Sequence, residues 1–328
     1  MKSKILKALI DQKDGYISGE NLSNMFGVSR TAIWKHIQTL RKEGYQIVSV
    51  TNKGYHLKRK SSDVDQIALD QMIMNSALIK QVVYLDQVDS TNMEAKRMAM
   101  SNPFNEALIV AREQIMGKGR MGRSWLSEKD SGIWMSLLLK PALSPDMVSK
   151  VTLIAAAAAS RSIEEETGLI TGIKWPNDIV INRKKVCGIL AELSAELGHI
   201  HYLVVGVGIN VSQSAFEDSI ADKATSIVIE NQGKPVNRLN IIKKFVEIFE
   251  MYYNQFVNDG LYDSVVEYNI NKSVTIGEKV YITTHDRTRS AFAKTIDDAG
   301  NLIVTNEDGE DEAIFFGEVS VRGINGYV

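Results

Sequence analysis

The apolar residues near the N-terminus recur at helical spacing in short segments. The first stripe lies within residues 4–13 and consists of Ile5, Leu6, Leu9 and Ile10, a spacing that predicts an amphipathic helix. Ser18 precedes a second short helix that must end at Gly27, and Ser29 opens a third, from Arg30 to Glu43. A helix, a turn containing glycine and a further helix form the helix-turn-helix motif, whose second helix enters the major groove of DNA.

Two alternating segments after the third helix predict a β-hairpin. They span Tyr45–Val50 and Gly54–Leu57, and Lys53 lies at the predicted tip. Residues 1–60 also contain twelve Lys and Arg against four Asp and Glu, whereas the remaining residues contain 26 against 36. This local excess of positive charge suits a polyanionic partner.

These features together favour a DNA-binding winged helix. A small helical domain whose basic faces are only solvated is the alternative that the residue pattern leaves open. Phosphate contacts are expected from Lys and Arg, and base contacts from the first residues of the third helix. The residues that we expect to contact DNA are Ser29, Arg30, Thr31, Lys35, His36 and Lys53.

A polar break at Ser61–Asp65 precedes a longer region in which predicted strands alternate with predicted helices. The strand-like runs are Val82–Leu85, Ala107–Ala111, Ile133–Leu139, Ile179–Ile181, Gly188–Leu193 and Tyr202–Val207, and the helical stretches are Ser90–Met100, Ser144–Gly168 and Asn240–Asp259. The alanine-rich run Leu153–Ser160 is interpreted as a buried helix. Long helices beside a sheet make this region the main domain.

The last part of the chain has short strands and frequent turns. It begins near Ser273, and turn residues at Gly277 and Asp308-Gly309 separate the strands. This pattern predicts a small β-barrel. We therefore expect an α+β multidomain protein with an N-terminal winged helix-turn-helix domain, a central mixed α/β domain and a C-terminal barrel. The expected domain boundaries are 1–62, 63–271 and 272–328.

Composition limits the class of protein. Hydrophobic residues make up 44% and charged residues 24% of the 328 positions, as in a globular protein. The single cysteine, Cys187, excludes a disulfide framework and a thiolate metal site. The longest apolar block, Val151–Ala159, is well short of the ~20 residues that span a bilayer, and the N-terminal apolar stretch is too short for a signal peptide. We expect a cytoplasmic protein that is neither exported nor embedded in a membrane.

The segment Gly117–Trp125 is the most informative candidate for chemistry. It satisfies the G-x-G-x-x-G pattern of dinucleotide-binding proteins and misses the P-loop pattern only because Arg123 stands where that motif has lysine. Both motifs require a helix directly after the glycines, whereas the residues before Ile133–Leu139 are polar and aperiodic. The segment is therefore interpreted as a basic loop between two strands. An anion-binding loop that orders on a nucleotide is favoured over a solvated turn.

Further polar clusters lie beside the other predicted strands, where the sites of α/β domains collect. These clusters are Asp89–Asn92, Arg112–Gln114, Lys174–Asp178, Lys184–Gly188 and Gly206–Asn210. Ser90, Thr91 and Asn92 either cap the following helix or offer donors and acceptors to a neutral polar ring, and the two roles are compatible.

Two charged residues at predicted strand starts suit phosphate chemistry. Pro176 imposes a bend, after which Asp178 either balances the basic loop, helps to hold a magnesium ion on a nucleotide, or only completes a turn. Lys185 begins an apolar strand, where its ammonium group is either solvated or stabilises negative charge that develops on a phosphate or carboxyl group. Strand alternation predicts that Cys187 lies on the same face as Lys185. We expect Cys187 to be a small buried residue, because no neighbouring base activates it.

Four segments together resemble motifs of the bifunctional biotin protein ligases, which are also repressors of biotin genes. The segments are Gly117–Arg123, Lys174–Asp178, Lys185–Leu190 and Gly206–Asn210. The first resembles the family's G-R-G-R-x-G-R loop and the second its K-W-P-N-D motif. The departures are mild: Lys118 and Met121 stand for arginines and Cys187 for an alanine. The resemblance covers essentially the whole chain, and it implies a catalytic domain of the biotin-ligase type and an SH3-like β-barrel.

The resemblance implies a two-step ligation. Biotin and Mg-ATP give biotinyl-5′-AMP, and the biotinyl group then passes to a lysine of a biotin carboxyl carrier domain. Lys185 and Arg120 are the implied catalytic residues. The implied biotin-binding residues are Ser90, Thr91, Asn92, Gln114, Lys118, Gly119, Arg120, Lys185 and Gly188. The residues implied to bind ATP or the adenylate are Gly117, Arg120, Arg123, Trp125, Lys174, Asn177, Asp178 and Asn210, with Asp178 also an indirect ligand of Mg²⁺.

The resemblance also implies partners for both activities. A carrier domain of a biotin-dependent carboxylase accepts biotin, and operator DNA binds a homodimer that forms with the adenylate. A dimer is reasonable because paired half-sites need paired winged helices. Two alternatives stay open: a lipoate or octanoate ligase of the same fold, and a repressor that senses a small ligand without catalysis. The first needs a long apolar tunnel and does not account for the winged helix.

Overall fold

A computed structural model describes most of the chain. The described residues are 1–12, 15–42, 45–58, 64–101, 103–196, 199–260, 262–284, 287–316, 320–323 and 327. They form two compact units, Met1–Ala68 and Leu69–Val328. The domain boundaries at 62 and 271 stay predictions, and residues 61–63 of the predicted linker and Glu43 of the predicted third helix lie outside the described part. No helix within the described ranges is long and apolar enough to cross a membrane.

The first unit is a winged helix-turn-helix. Its elements are α1 (Lys2–Asp11), α2 (Gly19–Phe26), α3 (Arg30–Lys42), β1 (Ile47–Val50) and β2 (Gly54–Leu57). The Ser18 hydroxyl accepts a hydrogen bond of 3.0 Å from the backbone of Asn21, which begins α2. Gly27 ends α2 with a φ of 64°, a left-handed conformation that favours glycine. The predicted helix, glycine turn, helix and wing are therefore present.

A seven-stranded sheet lies at the centre of the second unit. Its strands are β3 (Gln81–Leu85), β4 (Ala107–Ala111), β5 (Gly132–Leu139), β6 (Gly172–Lys174), β7 (Asp178–Ile181), β8 (Lys184–Glu196) and β9 (His199–Asn210). They are ordered β3-β4-β5-β9-β8-β7-β6, with β3 and β4 parallel and the other neighbours antiparallel. The helices from residue 66 onward are α4 (Gln66–Met72), α5 (Thr91–Ala99), α6 (Val148–Thr167), α7 (Ile227–Glu230), α8 (Arg238–Asp259) and α9 (Asp263–Asn271).

The alanine-rich run is a buried helix, as predicted. Every residue of Ala155–Ala159 in α6 is completely inaccessible to solvent. Small side chains let α8 pack closely along α6, and Arg161 Nη1 donates a hydrogen bond of 3.0 Å to the hydroxyl of Tyr252 on α8. The two helices form one layer of the second unit.

A β-bulge in β8 changes the expected orientation of two side chains. Ile179 pairs with Cys187, but Val180 pairs with Lys185, so Val186 is an additional residue in the strand. An additional residue reverses the alternation of faces. The prediction that Lys185 and Cys187 share a face is therefore wrong. Cys187 is nevertheless completely buried, as predicted.

Five antiparallel strands form the last domain, in the order β13-β12-β11-β10-β14. They are β10 (Lys279–Thr283), β11 (Thr288–Ile296), β12 (Leu302–Thr305), β13 (Asp311–Ile314) and β14 (Ser320–Gly323). The domain docks on Trp175, whose indole Nε1 donates to the carbonyl of Gly300 and whose backbone N–H donates to Thr275 Oγ1, both at 3.1 Å. This docking brings β14 to the edge of a cavity beside the seven-stranded sheet. The sequence pattern did not predict β6, β14 or α9, which are short and only partly apolar.

Candidate active site and DNA-binding surface

One cavity of about 750 Å³ collects nearly all the predicted site residues of the second unit. Those that line it are Ser90, Thr91, Asn92, Gln114, Lys118, Gly119, Arg120, Arg123, Trp125, Lys174, Asn177, Asp178, Lys185, Gly188 and Asn210. Gly117 does not line it; its carbonyl accepts a hydrogen bond of 2.9 Å from the backbone of Trp125. Cavities of this size bind small molecules and cofactors.

The neutral end of the cavity is built at the start of α5. Ser90 occupies the N-cap position, but its side chain makes no capping hydrogen bond, so the hydroxyl is not committed to the helix. Gln114 Oε1 accepts from both the backbone and the hydroxyl of Thr91, at 2.8 and 3.1 Å, and its Nε2 donates to Ser127 at 2.8 Å. These contacts hold uncharged donors and acceptors at fixed positions.

The side chain of Asn92 makes more hydrogen bonds within the protein than the sequence indicated. Its Nδ2 donates to Glu192 at 2.7 Å and to the carbonyl of Leu190 at 3.3 Å. Ser136 Oγ lies 2.6 Å from Asn92 Oδ1 and 2.7 Å from Thr91 Oγ1. Sequence reasoning missed Ser136, although a polar residue in the middle of a fully buried strand is a signal that would have found it.

The glycine-rich segment is a folded loop between β4 and β5, as predicted, with no helix of the dinucleotide-binding type after it. Its tip is a single 3₁₀ turn, Arg120–Gly122, in which Met121 has a φ of 56°. Gly119 N–H donates to the carbonyl of Arg123 at 2.7 Å, which closes the turn. The ordering of this loop on a nucleotide stays a prediction.

Trp125 lies against the glycines of β8 and β9. A Cβ atom on Gly208 would come within 2.5 Å of the indole Nε1, and one on Gly188 within 3.0 Å of the six-membered ring. The indole N–H is buried and has no hydrogen-bond partner among the described residues. A buried donor without a partner is costly, so this atom is suited to a ligand acceptor.

The other end of the cavity is rich in cations around one buried carboxylate. Lys185 Nζ lies 2.6 Å from Asp178 Oδ1 and 5.1 Å from the ring of Trp125. Arg120 Nη1 donates to Asn177 Oδ1 at 3.1 Å, and burial lowers the pKa of the guanidinium group. Burial is the largest single influence and acts to raise the pKa of Asp178, but the charges of Lys185 and Lys174 and the hydrogen bonds from Lys185 and Tyr327 together outweigh it, and the pKa falls. Asp178 therefore stays ionised and balances these cations.

Lys174 and Asn210 occupy more restricted positions. Burial lowers the pKa of Lys174 to about 8, and its Nζ lies 3.4 Å from the ring centroid of Tyr327. Asn210 Nδ2 donates to the carbonyl of Thr225 at 3.1 Å, and its Oδ1 accepts from Gln213 at 3.3 Å. Asn210 thus anchors the segment that follows β9. Burial raises the pKa of the Cys187 thiol, which excludes it as a nucleophile at neutral pH.

Two other segments complete the cavity, and sequence reasoning missed both. The segment after β9 contributes Gln213, Ala215, Phe216, Glu217, Ser219, Ile220, Asp222, Lys223 and Ala224. The C-terminal domain contributes Tyr281, Ser320, Val321, Arg322, Gly323 and Tyr327. No local pattern in either segment indicates a site, because their lining residues belong to the cavity only through tertiary docking.

In the first unit, α3 displays most of the predicted DNA contacts. Arg30, Thr31, Lys35 and, on the wing, Lys53 are exposed, and His36 is half-buried. Ser29 Oγ accepts a hydrogen bond of 3.2 Å from the backbone of Ala32, so it caps α3. Sequence reasoning missed Trp34, which is 51% exposed on the same helix. The DNA contacts themselves stay predictions.

Three family models match successive parts of the chain. Residues 2–56 match an HTH domain, residues 84–210 the biotin/lipoate A/B protein ligase family, and residues 275–322 the biotin protein ligase C-terminal domain. These matches follow the order of the winged helix, the catalytic sheet and the small β domain.

Relatives match over nearly the full chain. The bifunctional ligase/repressor BirA of Bacillus subtilis is 36% identical over 315 residues, which cover 94% of this chain and 96% of that protein. The protein of the same name from Escherichia coli is 27% identical over 305 residues, 93% of this chain and 92% of that one. A solved biotin protein ligase from Aquifex aeolicus, in complex with biotin and ATP, superposes with a TM-score of 0.65 at 29% identity and covers 75% of this chain and 100% of its own. The chain belongs to the biotin protein ligase family, among its bifunctional members that are also repressors.

Proposed function

We propose that this protein joins biotin to ATP as biotinyl-5′-AMP, transfers the biotinyl group to a lysine of a carrier domain, and represses transcription when the adenylate is bound. One observation carries the enzymatic part: a single cavity joins the neutral hydrogen-bonding end at Ser90, Thr91 and Gln114 to the cationic end at Lys185 and Arg120. A neutral ring system with a carboxylate tail needs the first end, and a triphosphate needs the second.

The first step is adenylation. A carboxylate oxygen of biotin attacks the α-phosphorus of ATP, the bond to the bridging oxygen breaks, and pyrophosphate leaves. Lys185 stabilises the charge that moves between carboxylate and phosphate, and Arg120 and Arg123 neutralise the phosphates. The backbone from Lys118 to Arg120 covers the ligand. The six-membered ring of Trp125 offers a face for the adenine.

The second step is acyl transfer. The neutral ε-amine of a carrier lysine attacks the carbonyl carbon of the mixed anhydride, an amide forms as the nitrogen releases a proton to solvent, and AMP leaves with the pair of electrons of the broken C–O bond. Lys185 stabilises the negative charge on the tetrahedral intermediate and on the departing phosphate. The acceptor is a carrier domain of a biotin-dependent carboxylase.

Magnesium accompanies ATP in this proposal rather than occupying a protein site. The described residues contain no group of three or more His, Cys, Asp or Glu that could hold a metal ion. Asp178 is already engaged with Lys185 and with the hydroxyl of Tyr327. Asp178 would therefore contribute to a Mg²⁺ ion on the nucleotide only indirectly, through water.

The repressor role depends on the winged helix. The positively charged α3 and the wing bind operator DNA, and the adenylate promotes a homodimer that presents two winged helices to a two-fold operator. Transfer of biotin to excess carrier removes the adenylate and relieves repression.

Biotin-dependent exchange of labelled pyrophosphate into ATP tests the enzymatic proposal. We expect exchange with biotin and none with lipoate or octanoate. Lys185→Gln should reduce the exchange rate at least a hundredfold, since it removes the charge next to the reacting atoms. Lys184→Gln is the matched control, because Lys184 donates to the carbonyl of Ala221 and does not line the cavity.

The outcomes separate the candidate functions. Exchange with lipoate or octanoate alone would identify the other branch of the ligase fold. Binding of biotin without exchange by any of the three acids would leave a sensor without catalysis.

A further inference from the structure

The carboxylate of Asp178 is held differently at its two oxygens. Oδ1 lies 2.6 Å from Lys185 Nζ in an ion pair. Oδ2 accepts a hydrogen bond from the hydroxyl of Tyr327. An ion pair restrains distance more than direction. The directional hydrogen bond from Tyr327 therefore helps to fix the orientation of the carboxylate that pairs with Lys185.

Tyr327 is itself held in place by the neighbouring strands. Lys174 Nζ lies 3.4 Å from the centroid of the Tyr327 ring, a cation–π contact. Lys174 and Asp178 face each other in register across β6 and β7, so one pair of strands contacts both the ring and the hydroxyl. Burial and the adjacent charge of Asp178 raise the pKa of Tyr327, which keeps the hydroxyl protonated as a donor.

The ammonium group of Lys185 occupies a defined point in the cavity. It packs near the ring of Trp125 at 5.1 Å, and a Cβ on Gly188 would come within 3.0 Å of both its Nζ and its Cε. Asp178 is the carboxylate that pairs with it, and the side chain of Asp178 is only 14% exposed. Any group that fixes Asp178 therefore also fixes Lys185.

We propose that Tyr327 is a positioning residue for ligation: by holding Asp178, it keeps the Lys185 ammonium where the biotin carboxylate and the α-phosphate meet. The proposal rests on the proposed function, because it requires Lys185 to act on the reacting groups. In this proposal Tyr327 acts through Asp178 and Lys185 and not on the substrate itself. The C-terminal domain thus contributes to catalysis through a side chain that completes the charge arrangement of the catalytic sheet.

Tyr327→Phe tests this role with the full-length protein. The variant keeps the ring over Lys174 and removes only the hydrogen bond to Asp178. A hydrogen bond to a charged group is among the stronger ones in proteins, so we expect kcat for adenylate formation to fall at least tenfold. The KM values for ATP and biotin should stay within twofold of the wild-type values, because the ligand contacts remain.

A double-mutant cycle shows whether Tyr327 acts through Lys185. The rates of Lys185→Gln and of the double variant are measured in single-turnover reactions with excess enzyme and labelled ATP. We expect Tyr327→Phe to cause no further loss in the Lys185→Gln background, since there is no ammonium group left to position. Tyr202→Phe is the matched control: Tyr202 packs in a separate apolar cluster and does not line the cavity.

Three outcomes of these kinetic measurements would contradict the proposal. A wild-type kcat in Tyr327→Phe, a change confined to the KM for ATP, or an equal loss in the Lys185→Gln background would each exclude positioning through Lys185. Thermal unfolding of Tyr327→Phe shows whether a lower kcat comes from a less stable protein. A lower kcat with that cause would also contradict the proposal. An inactive wild-type protein would instead contradict the proposed function.

Discussion

Three glycines of β8 and β9 leave the space that neighbouring side chains occupy. A Cβ on Gly206 would come within 2.2 Å of Asn92 Oδ1, and one on Gly208 within 2.5 Å of the Trp125 indole nitrogen. A Cβ on Gly188 would likewise come within 3.0 Å of Lys185 Nζ. The requirement for glycine here is close approach of other side chains, since none of the three has a positive φ.

Gly208→Ala should weaken ATP binding more than biotin binding. The added methyl group displaces Trp125 from its position against β9, and stacking of a base on an aromatic ring contributes about 1–3 kcal/mol. We therefore expect the KM for ATP to rise about tenfold, with the KM for biotin within twofold. Initial-rate measurements of adenylate formation check both constants. An unchanged KM for ATP would show that Trp125 does not contact the nucleotide.

Lys174 should make ATP binding sensitive to pH in the mildly alkaline range. Its pKa is lowered to about 8 by burial, so the side chain is mostly protonated at pH 7 and mostly neutral at pH 9. If its charge supports phosphate binding, the KM for ATP rises severalfold over this interval, whereas an ordinary lysine would stay protonated. Lys174→Gln is the control and should lose this part of the pH dependence. The same pH profile in both proteins would contradict the assignment.

At the scale of elements, the local sequence predicts which face of α3 is buried, but it does not predict which way the side chains of β8 point. The apolar stripe of α3 contains Ile33, Ile37 and Leu40, all completely buried, because a helix repeats every 3.6 residues regardless of its neighbours. The orientation of Lys185 in β8 depends instead on a bulge at Val186. That bulge exists only in the pairing with β7, which no local pattern specifies.

Lys35→Ala in α3 should weaken operator binding, mainly because it removes an electrostatic contact with DNA. Lys35 is exposed on α3, the second helix of the helix-turn-helix, which enters the major groove in proteins with this motif. Removing one phosphate contact should lower the affinity by a similar factor for all DNA sequences. It should also reduce the slope of log affinity against log salt concentration by about one. Titrations at several salt concentrations check this. Lys4→Ala, an exposed lysine of α1, is the charge-matched control and should leave the slope unchanged.

At the scale of the whole molecule, the two compact units divide at Ala68 and Leu69. The first unit has its own apolar core, which includes Ile5, Leu22 and Ile33. All residues that line the catalytic cavity lie in the second unit. The predicted DNA contacts and the catalytic cavity therefore lie in different units, and in the proposed function only the adenylate couples the two activities.

Deletion of residues 1–60 should abolish operator binding and retain biotin-dependent pyrophosphate exchange. The deletion removes the winged helix, whereas α4 and every element of the catalytic sheet remain. DNA mobility shifts and the exchange assay on the same preparation check the two expectations. Retained sequence-specific DNA binding would place the DNA site elsewhere in the chain.

Local patterns determined the winged helix, the buried alanine-rich helix, most strands and the motifs of the cavity, because periodicity and motif chemistry depend on residues that are close together in the chain. Only the tertiary structure decided which residues support those motifs. Ser136 and Glu192 fix Asn92, and Tyr327 reaches Asp178, 149 residues away in sequence. Such contacts depend on strand order, on one bulge and on the docking of the C-terminal domain, which long-range packing sets and adjacent residues do not.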